Sequence, residues 1–161
     1  MKFMSAVDDL VTLYASRLGT EIHVGPWLEI DQERVDRFAE VTGDRQWIHT
    51  DPVRAAVESP YGTTVAHGFL TLSLLPWLTR SNSPDYFAQN YPGMRLRVNY
   101  GLNRVRFPAP VRVGSRVRAH TVLLSAEREG EGVEIVYRFT VEIDGVEKPA
   151  CVAESVVRVY P

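Results

Sequence analysis

The stretch HGFLTLSLLPWLT, residues 67–79, is apolar on nearly every side when it is read as a helix. A helix that is hydrophobic all round has no face for water and is buried inside a fold. Its apolar run, residues 69–78, is about ten residues long and contains Pro76, whereas a membrane-spanning helix needs roughly 20 residues. We therefore predict a buried helix at the centre of a globular fold, with no membrane insertion.

The second half of the chain, residues 94–160, alternates apolar and polar residues with a period of two. The clearest run places apolar side chains at every second position: Val133, Ile135, Tyr137, Phe139, Val141 and Ile143. The same spacing recurs in residues 94–100, 117–123 and 151–159. This period is typical of strands in a sheet that has one apolar face. Asp144-Gly145 is a strong hairpin signal, and a shift of the apolar parity between Leu102 and Val105 indicates a bulge or a turn.

An antiparallel sheet with one apolar face must bury that face against another element, and the apolar helix is the obvious partner. Other helices are predicted over residues 5–18, after Asp31, and from Asp51-Pro52 onward. These elements predict an α+β protein in which an antiparallel sheet wraps around a single central apolar helix, the hot-dog fold. No linker or internal repeat divides the chain, so we expect one domain over residues 1–161.

Composition narrows the class of protein further. The chain has 161 residues, of which 45% are hydrophobic and 24% charged, and its formal net charge is −2. The near-neutral charge, without a block of Lys and Arg, argues against nucleic-acid binding. Cys151 is the single cysteine, which excludes an intrachain disulfide. The first residues lack a basic segment followed by an apolar one, so we expect a cytoplasmic protein rather than a secreted one.

The densest polar cluster is TGDRQWIHTDP, residues 42–52, which lies within a predicted active-site segment of about residues 38–70. Asp44 and His49 are five residues apart in a turn, so both can point into one pocket. A histidine titrates near neutral pH and a neighbouring carboxylate tunes and orients it, which suits general acid–base catalysis. The alternative is structural, with Asp44 as a turn residue and His49 as a hydrogen-bonded loop residue.

A second cluster, YGTTVAHGF at residues 61–69, leads directly into the apolar helix. The free N–H groups at a helix N-terminus can bind an anion or a developing oxyanion. Gly68 has no side chain that would keep a carbonyl oxygen away from the backbone. The alternative is that Gly68 only allows close packing and that His67 caps the helix.

A metal site is another use that Asp44, His49, Asp51 and His67 could serve, because zinc and iron accept such ligands. Their spacing matches no dense motif such as HxH or HExxH, so we predict no metal ion. The sequence contains no G-x-S-x-G, G-x-G-x-x-G or P-loop motif, which argues against those classes of hydrolase and nucleotide-dependent enzyme.

Three stretches carry a family resemblance: FAEVTGDRQWIH at residues 38–49, GTTVAHGFL at residues 62–70 and NYGLNRVRFPAPV at residues 99–111. Together they resemble the MaoC-like (R)-specific enoyl-CoA hydratases and 3-hydroxyacyl-thioester dehydratases, including the NodN-like branch. The similarity extends over most of the chain from about residue 30 onward. Gly-Asp, a histidine five residues later and Ala-His-Gly before an apolar helix form a specific combination, which favours the functional interpretation of both clusters.

The resemblance implies reversible addition of water to a trans-2-enoyl-CoA, giving a (3R)-3-hydroxyacyl-CoA. Asp44 and His49 match the family's catalytic pair, and Gly68 matches the glycine whose backbone N–H receives the thioester carbonyl oxygen. The resemblance implies no metal or redox cofactor, because the reaction only exchanges water and a proton. It also implies a homodimer in which two sheets join into one longer sheet.

The sequence departs from the family pattern at Gln46-Trp47, where Asn-Pro is usual. Besides the catalytic residues, we expect substrate contacts from Trp47, Thr64, His67, Arg104 and Arg106. The two arginines would meet the CoA phosphates, and the alternative is that they only cover an exposed strand face. Two other functions stay open: dehydration of 3-hydroxyacyl chains held on a carrier protein, and non-catalytic acyl-CoA binding, which the departure from Asn-Pro leaves possible.

Overall fold

The computed structural model describes residues 5–161, so the first four residues of the predicted domain 1–161 lie outside the described residues. The helices are α1 (Ala6–Ala15), α2 (Gln32–Thr42), α3 (Trp47–Thr50), α4 (Pro52–Glu58), α5 (Gly68–Ser73), α6 (Leu75–Leu78) and α7 (Pro84–Asn90). The strands are β1 (Glu21–Val24), β2 (Leu28–Glu29), β3 (Leu96–Arg106), β4 (Arg116–Glu129), β5 (Gly132–Ile143) and β6 (Val146–Tyr160). Within this part of the chain, no helix is long and apolar enough to cross a membrane.

The strands form one antiparallel sheet in the order β1-β4-β5-β6-β3, and β2 also pairs with β4. The α+β class and the antiparallel sheet are therefore confirmed. Asp144-Gly145 forms the hairpin between β5 and β6. The predicted bulge appears as a shift in register between Leu102 and Arg104, and β3 has a further shift between Asn99 and Gly101.

The central helix is shorter and less enclosed than predicted. Residues 67–79 form α5 and α6, which meet at Leu74. Pro76 lies in the first turn of α6, where its missing N–H is tolerated, whereas one continuous helix would need that N–H as a donor. Phe69 is 67% exposed and Trp77 is 46% exposed, so one side of the segment faces away from the sheet. The opposite side packs into the core through Leu70, Leu75 and Leu78.

Two clusters of buried side chains cover the inner face of the sheet. The first lies under α5 and α6 and includes Val117, Ala119, Val141, Cys151 and Ala153. The second lies under α1 and α7 and includes Val7, Leu10, Tyr14, Tyr91, Leu123, Ile135 and Tyr137. The two short central helices cover only part of the long sheet, so α1 and α7 bury the remainder. The architecture is the hot-dog fold, with the wrapped helix divided in two.

The first half of β3, residues 96–100, presents its apolar side chains on the outer face of the sheet, which corrects the prediction that they belong to the covered face. The exposed fractions are 54%, 40% and 60% for Leu96, Val98 and Tyr100. Val98 pairs with Arg158, whereas Asn99 pairs with the core residue Val157. Directly paired residues share a face of the sheet. The period of two thus predicts the strand correctly, but it carries no information about which face is covered.

Candidate active site

The catalytic candidates lie in the loop that follows α2. Asp31 caps this helix by accepting a hydrogen bond from the Arg34 N–H. Gly43 ends the helix with φ of 79°, and its N–H donates to the Ala39 carbonyl. This left-handed turn suits glycine because a Cβ disfavours it. It places Asp44 in the turn immediately before the short helix α3.

His49 is held in one orientation by the backbone. It is 8% exposed, and its Nδ1 lies 2.7 Å from the Val65 carbonyl oxygen. A carbonyl oxygen only accepts, so Nδ1 carries the hydrogen and Nε2 keeps its lone pair. Burial lowers the pKa of His49 below its ordinary 6.5 and outweighs the Val65 hydrogen bond and the Asp44 charge, which both favour the cation. The ring is therefore a neutral base at neutral pH.

Gln32, the first residue of α2, is hydrogen-bonded to the backbone of His49. Its Nε2 donates to the His49 carbonyl oxygen at 2.7 Å, and its Oε1 accepts from the Thr64 hydroxyl at 2.5 Å. Thr64 is 1% exposed, so its hydroxyl is used inside the protein rather than at an open pocket. The sequence offers no signal for Gln32, because only folding brings α2 against the segment that carries His49.

His67 contacts both members of the predicted pair. Its Nε2 donates to the Asp44 carbonyl oxygen at 2.8 Å. Its ring stacks on His49 with centroids 3.7 Å apart and planes 25° apart, and Phe38 packs on it at 5.0 Å. His67 occupies the N-cap position of α5, as the predicted alternative has it, but its side chain makes no capping hydrogen bond to the helix. Its Nδ1 is buried without a partner among the described residues.

Asp44, His49 and His67 each bring one atom to the same place, and these atoms all lie within 4.8 Å of one another. An ionised carboxylate and the bare Nε2 of the neutral His49 ring are both hydrogen-bond acceptors. Such a set needs a donor between its members, and a water molecule or a substrate hydroxyl supplies one. These side chains are also of the types that bind a metal. However, the two rings are stacked with planes 25° apart, and one nitrogen of each ring is already hydrogen-bonded to a backbone carbonyl oxygen.

Gly68 is the first residue of α5, directly after His67. A Cβ built on it would lie 2.8 Å from Cδ2 of Phe107, which is too close for any side chain. The packing interpretation of this glycine is therefore part of its role. Its N–H lies in the first helical turn, where no intrahelical acceptor exists, so the donor that the oxyanion interpretation requires stays free of the helix ladder.

The remaining predicted contact residues are Trp47, Arg104 and Arg106, which lie outside the cluster of Asp44, His49 and His67. Trp47 lies beneath the Arg54 guanidinium, whose Cζ is 4.3 Å from the ring centroid. Arg104 and Arg106 are exposed on the outer face of β3, because the intervening Val105 pairs with the core residue Ala153. Both arginines therefore lie on an exposed strand face, which is the predicted alternative to contact with the CoA phosphates.

A cavity of about 280 Å³ that is partly open to solvent lies between α5, α6 and the inner face of the sheet. Leu72 and Ser73, about one helical turn beyond Gly68, line it on the helical side. Thr121 and Tyr137 line it on β4 and β5. Asp44, His49, His67 and Gly68 are not among its lining residues.

The chain is similar to known proteins over nearly its whole length. A family model described as "MaoC like domain" matches residues 14–145. The 3-hydroxyacyl-thioester dehydratase Z of Mycobacterium tuberculosis is 50% identical over 159 residues, which are 98% of each protein. Nodulation protein N of Rhizobium leguminosarum bv. viciae is 46% identical over 139 residues, which are 86% of this chain and 83% of the relative.

A solved structure shares the fold at lower identity. It is described as a monoamine oxidase regulatory protein from Archaeoglobus, and it superposes with a TM-score of 0.73 at 22% identity, covering 88% of this chain and 89% of that one. At this identity the likeness establishes the hot-dog fold alone.

Proposed function

Because the chain belongs to the MaoC-like domain family and to its NodN-like branch, we propose that it is a hydro-lyase that adds water reversibly to trans-2-enoyl-CoA. The product is the (3R)-3-hydroxyacyl-CoA, and the reverse reaction dehydrates it. The observation that carries the proposal is that Asp44, His49 and His67 each bring one side-chain atom within 4.8 Å of the others, while Gly68 directly follows His67 at the start of α5. The similarity to a protein named as a 3-hydroxyacyl-thioester dehydratase supports it.

The proposed mechanism uses His49 as a neutral base, because burial lowers its pKa. The Asp44 carboxylate and Nε2 of His49 accept the two hydrogens of one water molecule, which leaves an oxygen lone pair free to attack C3. As the C3–O bond forms, the C2=C3 electron pair moves onto the thioester oxygen, and the Gly68 N–H stabilises that charge. The acceptor that takes the proton from water returns one to C2, so the proton balance closes. The protein supplies no redox step.

The departure at Gln46-Trp47 leaves this arrangement intact. Trp47 faces Arg54 on α4, and the Gln46 side chain is exposed and does not cap α3. His49 meanwhile keeps its hydrogen bond to Val65. The replacement of Asn-Pro is therefore no argument by itself for a non-catalytic binding protein.

The first test is turnover of crotonyl-CoA, followed by the loss of enoyl-thioester absorbance. Asp44→Asn and His49→Gln should each lower kcat by about 10²–10⁴, the usual contribution of a positioned acid–base group. Asp51→Asn is the matched control. Asp51 caps α4, and asparagine caps a helix as well as aspartate does, so this variant should keep its activity.

Comparing kcat/KM for CoA and carrier-protein thioesters of the same acyl chain tests which of the two carries the substrate. A much higher kcat/KM for the carrier-protein thioester would mean that the acyl chain of the substrate is held on a carrier protein rather than on CoA. Tight acyl-CoA binding with no turnover of either thioester by the folded protein would contradict the enzymatic function. That result would favour an acyl-CoA-binding subunit.

We also infer that the functional unit is a homodimer. Strand β3 is an edge of the sheet, and its 11 residues are mostly exposed on both faces. An exposed edge strand with apolar side chains pairs readily with another chain. A second copy related by a two-fold axis would place its own β3 antiparallel to this one and join the two sheets.

A further inference from the structure

Arg97 is a charged residue on the face of the sheet that is otherwise covered by apolar side chains. In the register of β3 and β6 it pairs with Val159, which belongs to the second buried cluster. Directly paired residues share a face of the sheet, so the half-buried Arg97 side chain lies on the inner face. It also lines the cavity of about 280 Å³, and among residues 5–161 it is the only charged residue in that lining.

Most hydrogen-bond donors of the Arg97 guanidinium are unused. One N–H group donates to Oδ1 of Asn82 at 2.6 Å, whereas a guanidinium carries five N–H donors in all. Within the described part of the chain, Arg97 forms no ion pair with an aspartate or a glutamate. A partly buried charge without a counter-charge is unfavourable, and the planar guanidinium suits a carboxylate, which it binds through two parallel hydrogen bonds.

Tyr86 on α7 provides a second donor in the same lining. Its backbone N–H and carbonyl oxygen are bonded to Ser83 and Asn90, but its hydroxyl has no partner among the described residues and, unlike that of Thr121, is not enclosed. Burial raises the pKa of Tyr86, and the Arg97 charge opposes this rise. The hydroxyl is therefore protonated at neutral pH, and it is close enough to the guanidinium to interact with its charge.

We propose that this cavity binds an apolar chain that ends in a carboxylate, with the carboxylate held by Arg97 and Tyr86. Apolar walls with a few placed polar groups are typical of ligand cavities. The walls that would contact the chain include Leu72, Leu75 and Phe139. Two sources provide such a ligand: a free fatty acid, and an acyl thioester that carries a carboxyl group at the far end of its chain. The second source rests on the proposed function.

Calorimetric titration with straight-chain alkanoates from hexanoate to dodecanoate, each compared with the alcohol of the same length, tests the first source. The wild-type protein should bind one or more alkanoates about tenfold more tightly than the matching alcohols, since hydrogen bonds to charged groups contribute on that order. Arg97→Met keeps an unbranched side chain without the charge and should abolish this preference, and Tyr86→Phe should reduce it. Arg95→Met is the matched control: Arg95 is exposed and lies outside the lining, so this variant should keep the preference.

Turnover of trans-2-enoyl-CoA with and without a carboxyl group at the far end of the chain tests the second source. At the matching length, kcat/KM should favour the carboxylated substrate about tenfold, and Arg97→Met should remove this difference. Equal affinities for alkanoates and alcohols together with equal kcat/KM for the two thioesters at every length would overturn the inference, as would a preference that is unchanged in Arg97→Met. Absence of turnover for all thioesters counts against the proposed function instead, and the alkanoate titration then decides the inference by itself.

Discussion

At the scale of single residues, His67 is the side chain that joins the two catalytic candidates. Its Nε2 is bonded to the Asp44 carbonyl oxygen, and its ring covers that of His49. A rigid contact of this kind keeps reacting groups in place, and small displacements of such groups are costly in rate. We therefore interpret His67 as a positioning residue.

Replacing His67 tests this interpretation. His67→Phe keeps a ring against His49 but loses the donor to Asp44, so we expect kcat to fall by about tenfold or more with little change in KM. His67→Gln can restore the donor and should recover part of the loss. The charge of His67 contributes to lowering the pKa of His49, so the acidic limb of the kcat/KM profile should move to higher pH in His67→Gln. An unchanged profile and wild-type kcat in both variants would contradict the role.

At the residue scale, sequence patterns identify candidate catalytic side chains by their residue types and their spacing. Asp44, His49 and Gly68 are predicted from their motifs, and the structure places His67 between the first two. Gln32 is not predicted, because its contact with His49 joins segments that are 17 residues apart. His67 occupies the predicted N-cap position of α5, but a motif does not reveal that its ring turns toward Asp44 and His49.

At the scale of secondary-structure elements, the short strand β1 is attached to the sheet through a histidine. Nδ1 of His120 on β4 lies 2.8 Å from the Glu21 carboxylate on β1, and its Nε2 lies 2.8 Å from the Glu142 carboxylate on β5. Carboxylates only accept, so both ring nitrogens carry hydrogens and the ring is an imidazolium. The alternation of the sequence predicts only a polar face at this position and not the bridge across three strands.

This bridge predicts a specific dependence of stability on pH. Burial would lower the pKa of His120, but the hydrogen bonds and charges of Glu142 and Glu21 outweigh it and raise the pKa above 6.5. The stabilisation is therefore complete below the unfolded value and is lost as pH rises through the higher folded value. Urea unfolding of wild type and His120→Gln from about pH 6 to about pH 9 should show their difference shrinking with rising pH. Glu21→Gln should show a weaker form of the same effect, and a difference that grows with pH would contradict the prediction.

At the scale of the whole molecule, the outer face of β3 is the feature that one chain does not explain. Leu96, Val98 and Tyr100 are exposed at an edge of the sheet, and Asn99, Tyr100 and Leu102 of the same strand line the cavity. A second copy joined along β3 would therefore shield the strand and the side of the cavity that β3 forms.

Sedimentation analysis tests this assembly. The wild-type chain should sediment at twice its monomer mass at micromolar concentration, and Leu96→Lys with Val98→Lys should weaken the dimer, since charged side chains on an edge oppose pairing. Val146→Lys is the matched control: Val146 is also 47% exposed but begins β6 at a hairpin, so this variant should remain dimeric. A wild-type monomer, or a dimer unaffected by the β3 lysines, would contradict the inference.

The sequence by itself determined the α+β class, the antiparallel strands, the hairpin at Asp144-Gly145 and the identity of the catalytic candidates, because period, turn chemistry and motif spacing are local properties of the chain. Only the tertiary structure decided which face of β3 is covered, that the apolar segment 67–79 divides into α5 and α6, and that Gln32 contacts the segment that carries His49. These outcomes depend on which elements pack against one another, and side-chain burial and hydrogen-bond satisfaction arise only when distant segments meet.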